Sequence, residues 1–158
     1  MPLPSSTFSV SSVAPDGLWV LDTSVAASWF FTDEAIHLQA LAVRAHLRDE
    51  PRSYLVPPLF HAELVHVLAR KSGRNLRFVR DGLALILRLG IRTLPLSEAA
   101  LLRSADWACR GLSGYDATFV ALAEDVQGRW LTADERAAKV AGRERAETLK
   151  SWVRTHRG

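Results

Sequence analysis

Leu18-Trp19-Val20-Leu21-Asp22-Thr23-Ser24-Val25 decides the fold of this chain. Four apolar residues in a row read as a strand buried on both faces, and Asp22 ends the run. Thr23 to Phe31 then reads as a helix. The same alternation recurs downstream. Tyr54-Leu55-Val56 stops at Pro57-Pro58, before a helix over Leu59 to Lys71 that ends near Gly73. Ile91 to Leu94 is a short strand, followed by a helix that Ser97 caps and Gly111 ends. Arg129 to Thr132 is a strand before a short helix over Asp134 to Ala141. Further helices are expected over Ala35 to Arg48, Leu76 to Leu89 and Tyr115 to Val126, the last nearly all apolar and therefore buried. Ala146 to Val153 adds a last strand and a helical turn. Strands alternating with helices specify an α/β domain: a mainly parallel central sheet flanked by helices on both faces.

Composition agrees. The chain has 158 residues, 48% hydrophobic and 23% charged, which suits one soluble globular domain. Residues 1–17, with Pro2, Pro4, Pro15 and many serines, read as a flexible N-terminal tail, and 18–158 as a single domain. The lone cysteine, Cys109, excludes an intrachain disulfide framework and a Cys-rich zinc site; it lies in an amphipathic helix and is expected in the core. The richest apolar run, Leu83 to Ile91, is short and carries Arg88, so no membrane span is expected. The N-terminus lacks the basic start and apolar stretch of a signal peptide, and a cytoplasmic location is the expectation. Charge is uneven. Residues 1–66 hold three Arg against seven acids, net −4; residues 67–158 hold 17 Lys and Arg against ten acids, net +7. A basic half fits a polyanionic partner as well as solvated helix faces.

In open parallel sheets, sites form beyond the carboxyl ends of the strands. Asp22 follows the first strand there. Asp134 follows the fourth, in Trp130-Leu131-Thr132-Ala133-Asp134, and Asp116 opens the apolar helix, in Ser113-Gly114-Tyr115-Asp116. Glu63 lies one turn into the third helix, beside Phe60, Leu64 and Val67. Each has an ordinary alternative. Asp22 suits a helix N-cap, Ser113/Asp116 and Thr132/Glu135 have capping-box spacing, and Glu63 can pair with Arg70. As a group they point elsewhere. Two carboxylates about 5 Å apart repel by roughly 3 kcal/mol at an effective dielectric near 20, so four ionised together call for a shared hard cation such as Mg²⁺ or Mn²⁺.

The ordered segments Val20-Leu21-Asp22-Thr23-Ser24-Val25, Pro57 to Leu68 with Glu63, Tyr115-Asp116-Ala117-Thr118-Phe119-Val120-Ala121-Leu122-Ala123-Glu124 and Leu131-Thr132-Ala133-Asp134 resemble the motifs of PIN-domain ribonucleases, with VapC-type toxins of bacterial toxin–antitoxin pairs as the nearest sub-group. The resemblance covers about residues 18–153. It implies a PIN-like fold and a magnesium-dependent endonuclease whose catalytic, metal-holding acids match Asp22, Glu63, Asp116 and Asp134. Ser24 matches a hydroxyl residue two positions after the first Asp, placed to hold a metal-bound water on the substrate side or simply to start the helix, and Thr132 is placed to assist there near the last acid or to cap the helix after it. The resemblance also implies a homodimer and a small antitoxin that blocks the acidic pocket. Two departures stand out. His66 occupies a position where many relatives carry Asn, and a Ser/Pro-rich extension precedes Leu18.

The expected chemistry is hydrolysis of RNA phosphodiester bonds, in which a metal activates water and neutralises the leaving 3′-oxygen. Products with 5′-phosphate and 3′-hydroxyl ends are expected. Arg70, Lys71, Arg74, Arg77 and Arg80 cluster after the Glu63 helix as candidate phosphate contacts. Trp29 and Phe30 suit core or dimer contacts better than base stacking. Two other readings compete. One is another carboxylate–Mg²⁺ phosphohydrolase, such as a dehalogenase-type phosphatase, which expects a second Asp where Ser24 stands, or a receiver domain, whose lysine is poorly matched by Lys139. The other is a catalytically inert PIN-like binding module.

Overall fold

A computed structural model describes residues 17–156. The expected tail lies almost wholly outside the described residues, as do positions 157 and 158. Five strands alternate with eight helices among the described residues: β1 (Trp19–Leu21), α1 (Thr23–Ala27), α2 (His37–Asp49), β2 (Tyr54–Val56), α3 (Leu59–Lys71), α4 (Leu76–Arg88), β3 (Arg92–Thr93), α5 (Glu98–Cys109), α6 (Gly114–Asp125), β4 (Arg129–Thr132), α7 (Glu135–Ala141), β5 (Ala146–Thr148) and α8 (Leu149–Thr155).

All four strand pairings are parallel, in the order β3-β2-β1-β4-β5. The sheet is the α/β arrangement that the alternation specifies. β1 is central, buried along its whole length, and pairs Trp19 with Tyr54 on one side and with Arg129 on the other. α1 packs on α2 and α3, and α3 on α4; α5 packs on α6, which lies against β1 and β4; α7 packs on β5, and α8 returns to pack on α2. Trp130, Trp152, Tyr54, Phe60 and Phe119 fill the core. Because the chain leaves β1 first toward β2 and later reaches β4 on its other side, the order reverses between β1 and β4. A crevice opens at such a switch point, beyond the carboxyl ends of the two strands.

Three local expectations change. The first helix stops at Ala27 rather than Phe31, since the chain turns to bury Trp29, whose indole Nε1 donates to the Ala40 carbonyl at 2.7 Å. Ser28 fixes that turn, its one hydroxyl proton shared between the Ser24 carbonyl (2.9 Å) and the Glu34 carboxylate (2.7 Å). Cys109, expected in the core, is exposed because α5 turns its last residue outward. The final turn is a two-turn helix, α8, capped by Thr148. At Gly128, a Cβ would stand 2.5 Å from the Leu18 carbonyl oxygen, so only glycine lets the chain enter β4 alongside β1. No described helix is long and apolar enough to cross a membrane.

Candidate active site

Asp22 is the first residue past β1, and its backbone N–H still donates to the Leu131 carbonyl of β4 at 2.9 Å. The side chain N-caps α1 through the Ser24 N–H (3.3 Å), so the capping role is real. It also does more than cap. Oδ2 accepts from the Thr132 hydroxyl (3.1 Å) and from a short contact with the Ser24 hydroxyl, and Oδ1 accepts from the Trp130 indole N–H (3.2 Å). Ser24 Oγ in turn accepts from the Ala133 N–H at 3.1 Å, tying the start of α1 to the end of β4. Asp22 is buried, and that desolvation raises its pKa, with the charge of Asp116 adding to it; the Ser24 and Trp130 bonds pull the other way.

Glu63 sits on α3 with its carboxylate half-buried, accepting from the Thr23 hydroxyl at 3.4 Å. Burial, then the charges of Asp22 and Asp116, push it up to about 7. No ion pair joins it to Arg70 among the described residues. Asp116 lies in the first turn of α6, where Ser113 caps the helix by accepting the Asp116 N–H at 3.0 Å. The helix start favours an ionised acid, yet desolvation raises Asp116, and the charge of Asp134 adds to it. Asp134 is exposed and N-caps α7 itself, accepting from the Ala137 N–H at 2.9 Å.

Four elements thus bring four acids to one sheet edge, each close enough to perturb another: Asp22 and Asp116 act on Glu63, and Asp134 on Asp116. The donor set is all carboxylate oxygen with no cation paired to it among the described residues, which suits a hard dication in kind. The side chains do not stand as a finished cage. Among the described residues, no three His, Cys, Asp or Glu groups form a ready-made ligand set. Closing on one ion therefore asks Glu63 and Asp116 to turn toward Asp22, which four hydrogen bonds hold still.

Other expectations divide. Thr132 does not cap α7. It ends β4 fully buried, donates to Asp22 and accepts the Asp134 N–H at 3.1 Å. Lys71 is occupied: its ammonium pairs with Glu34 and lies 4.9 Å from the centre of the Phe31 ring. Arg77 pairs with Asp81 at 3.8 Å. Arg70 and Arg74 remain exposed and, with His66, line a cavity of about 490 Å³ along α3. Sequence reasoning missed Trp130 and Thr23. A buried indole N–H pairs with an acceptor where one lies in reach, and the parallel register that sets Val20 beside Trp130 puts that indole near Asp22.

The family model described as PIN domain matches residues 19–143. Among solved structures, the chain is similar to the sarcin–ricin-loop-cleaving toxin VapC20 of Mycobacterium tuberculosis, at 20% identity and TM-score 0.58, over 70% of this chain and 85% of that one. It is also similar to PAE2754 of Pyrobaculum aerophilum, at 15% identity and TM-score 0.67, over 87% of this chain and 93% of that one. At such identities the likeness shows the fold alone. The curated proteins contain no match to the sequence.

Proposed function

The chain belongs to the PIN-domain family, and from that premise we propose that it is a Mg²⁺-dependent endoribonuclease that hydrolyses RNA phosphodiester bonds as the toxin of a type II toxin–antitoxin pair. The observation that carries this reading is the placement of Asp22 at the end of β1, Glu63 on α3 against Thr23, Asp116 in the first turn of α6 and Asp134 at the start of α7, four acids from separate elements at one end of the sheet. Asp22, Glu63 and Asp116 are the ligands of first choice for Mg²⁺ or Mn²⁺; Asp134 is a further ligand or orients the attacking water. When bound, the ion makes a water acidic enough to attack phosphorus and takes up charge at the leaving 3′-oxygen. Ser24 and Thr132 hold Asp22 in place, and Arg70, with Arg74 and His66, receives the substrate backbone along α3. Lys71 serves the fold through Glu34 and leaves substrate contact to its neighbour.

Partners follow from the same site. A small antitoxin that inserts a basic side chain between the acids replaces the ion's charge and shuts the enzyme off. Exposed leucines on α4 and α5, among them Leu87, Leu101 and Leu102, supply apolar surface for a homodimer. The reaction takes place in the cytoplasm, where RNA is the substrate.

The test is cleavage of total RNA and of a sarcin–ricin stem-loop in Mg²⁺, with the cut ends mapped. Wild type should give 5′-phosphate and 3′-hydroxyl ends, EDTA should abolish cutting, and Asp116→Asn should lose at least about 10²-fold, near 2.7 kcal/mol. Cutting that survives both EDTA and Asp116→Asn, or phosphate release from small monoesters instead, would overturn the reading.

A further inference from the structure

Trp130 is completely buried on β4, the strand beside β1. Side chains two apart on a strand share a face, so Trp130 and Thr132 point the same way and reach the two oxygens of one carboxylate: Nε1 to Oδ1 at 3.2 Å, the hydroxyl to Oδ2 at 3.1 Å. A carboxylate offers about four lone-pair sites. Oδ2 is already crowded by three donors, the Thr132 hydroxyl, the Ser24 hydroxyl and the Ser24 N–H, and has no room for another partner. Oδ1 accepts one donor, the indole, among the described residues. Burial alone does not secure this bond. The indole nitrogens of Trp19 and Trp152 are equally enclosed and have no partner among the described residues.

We propose that Trp130 is a positioning residue for the ion site: its indole fixes the rotation of the Asp22 carboxylate and leaves one acceptor site, on Oδ1, for a divalent cation. The inference rests on the reading of Asp22 as a ligand. It adds that Asp22 binds through a single oxygen, and that the nitrogen bonded to that oxygen senses the ion. Thr132 and Ser24 hold the rear of the carboxylate, and Trp130 sets its front.

The probe is Mn²⁺ or Mg²⁺ alone, without RNA. Trp130→Phe keeps a ring in the core and removes only the donor and part of the ring volume. Mn²⁺ affinity, read by electron paramagnetic resonance, should fall about 10- to 100-fold, the usual loss when a ligand's hydrogen-bond partner is removed. In ¹H–¹⁵N spectra of wild type, the chain's five indole signals (Trp19, Trp29, Trp107, Trp130, Trp152) report separately. Assigned by contacts within the wild-type protein, the Trp130 signal should move most on Mg²⁺ titration, a readout that does not depend on the variant folding. Mn²⁺ affinity of Trp130→Phe within threefold of wild type, or a Trp130 indole that ignores the ion while wild type binds it, overturns this inference and leaves the nuclease reading standing. Failure of wild type to bind either ion overturns both.

Discussion

Glu63→Gln should stabilise the ion-free protein at neutral pH while destroying its activity. Burial and the charges of Asp22 and Asp116 move Glu63 from its ordinary 4.5 to about 7. The folded protein therefore keeps this proton where the unfolded chain has lost it. Between pH 4.5 and 7 the native state binds more protons, so stability falls as pH rises through that window, and the penalty is complete above 7. A shift of that size corresponds to about 3.4 kcal/mol at most. The side chain is half exposed and screened by solvent, so about 1.5 kcal/mol is the working figure. Glutamine keeps the shape and still accepts from Thr23, but carries no charge at any pH. In EDTA, thermal unfolding should place Glu63→Gln about 3–6 °C above wild type at pH 8, with the two converging at pH 4.5 and below, where Glu63 is protonated. Added Mg²⁺ should raise wild type much more than the variant. A variant equal to or below wild type at pH 8, or an advantage that persists unchanged at pH 4.5, would refute the claim that burial and the neighbouring acids disfavour the charge on Glu63.

Four other substitutions test individual residues. Arg70→Gln should raise KM for RNA and flatten the slope of log affinity against log salt by about 0.7; Lys71→Met should leave both unchanged and cost roughly 1 kcal/mol of stability through the lost Glu34 pair and Phe31 contact, seen in denaturant titrations. Gly128→Ala should cost about 1–3 kcal/mol, because its methyl meets the Leu18 backbone rather than a side chain that can swing aside; urea unfolding measures it. Leu102→Asp should convert a dimer to a monomer in light scattering without lowering the melting temperature of the monomer, since Leu102 is 69% exposed.

The sheet was legible because its strands are short apolar runs bounded by punctuation. Tyr54–Val56 before two prolines and Arg129–Thr132 appear as read. Four acids at one edge were legible too, since topology places residues that follow strands. What escaped was set by tertiary contact. The chain after Ala27 continues a helical pattern, but burying Trp29 against α2 ends the helix early. The spacing of Thr132 and Glu135 matches a capping box, yet Thr132 is drawn inward to Asp22 and Asp134 caps instead. Lys71 and Arg70 are equivalent in sequence; only the fold of residues 31–34 back onto α3 reveals that one of them already has its anion. Cys109 fits an apolar pattern and ends exposed, because a pattern does not say which residue of a helix's last turn leaves the core.

Acids from four elements are proposed to close on one divalent ion. Anomalous diffraction from crystals soaked in Mn²⁺ tests it directly. The expected result is a peak within reach of Asp22 and the carboxylates of Glu63 and Asp116, absent from Asp116→Asn crystals. No peak at saturating Mn²⁺, or one bound away from Asp22, would contradict it.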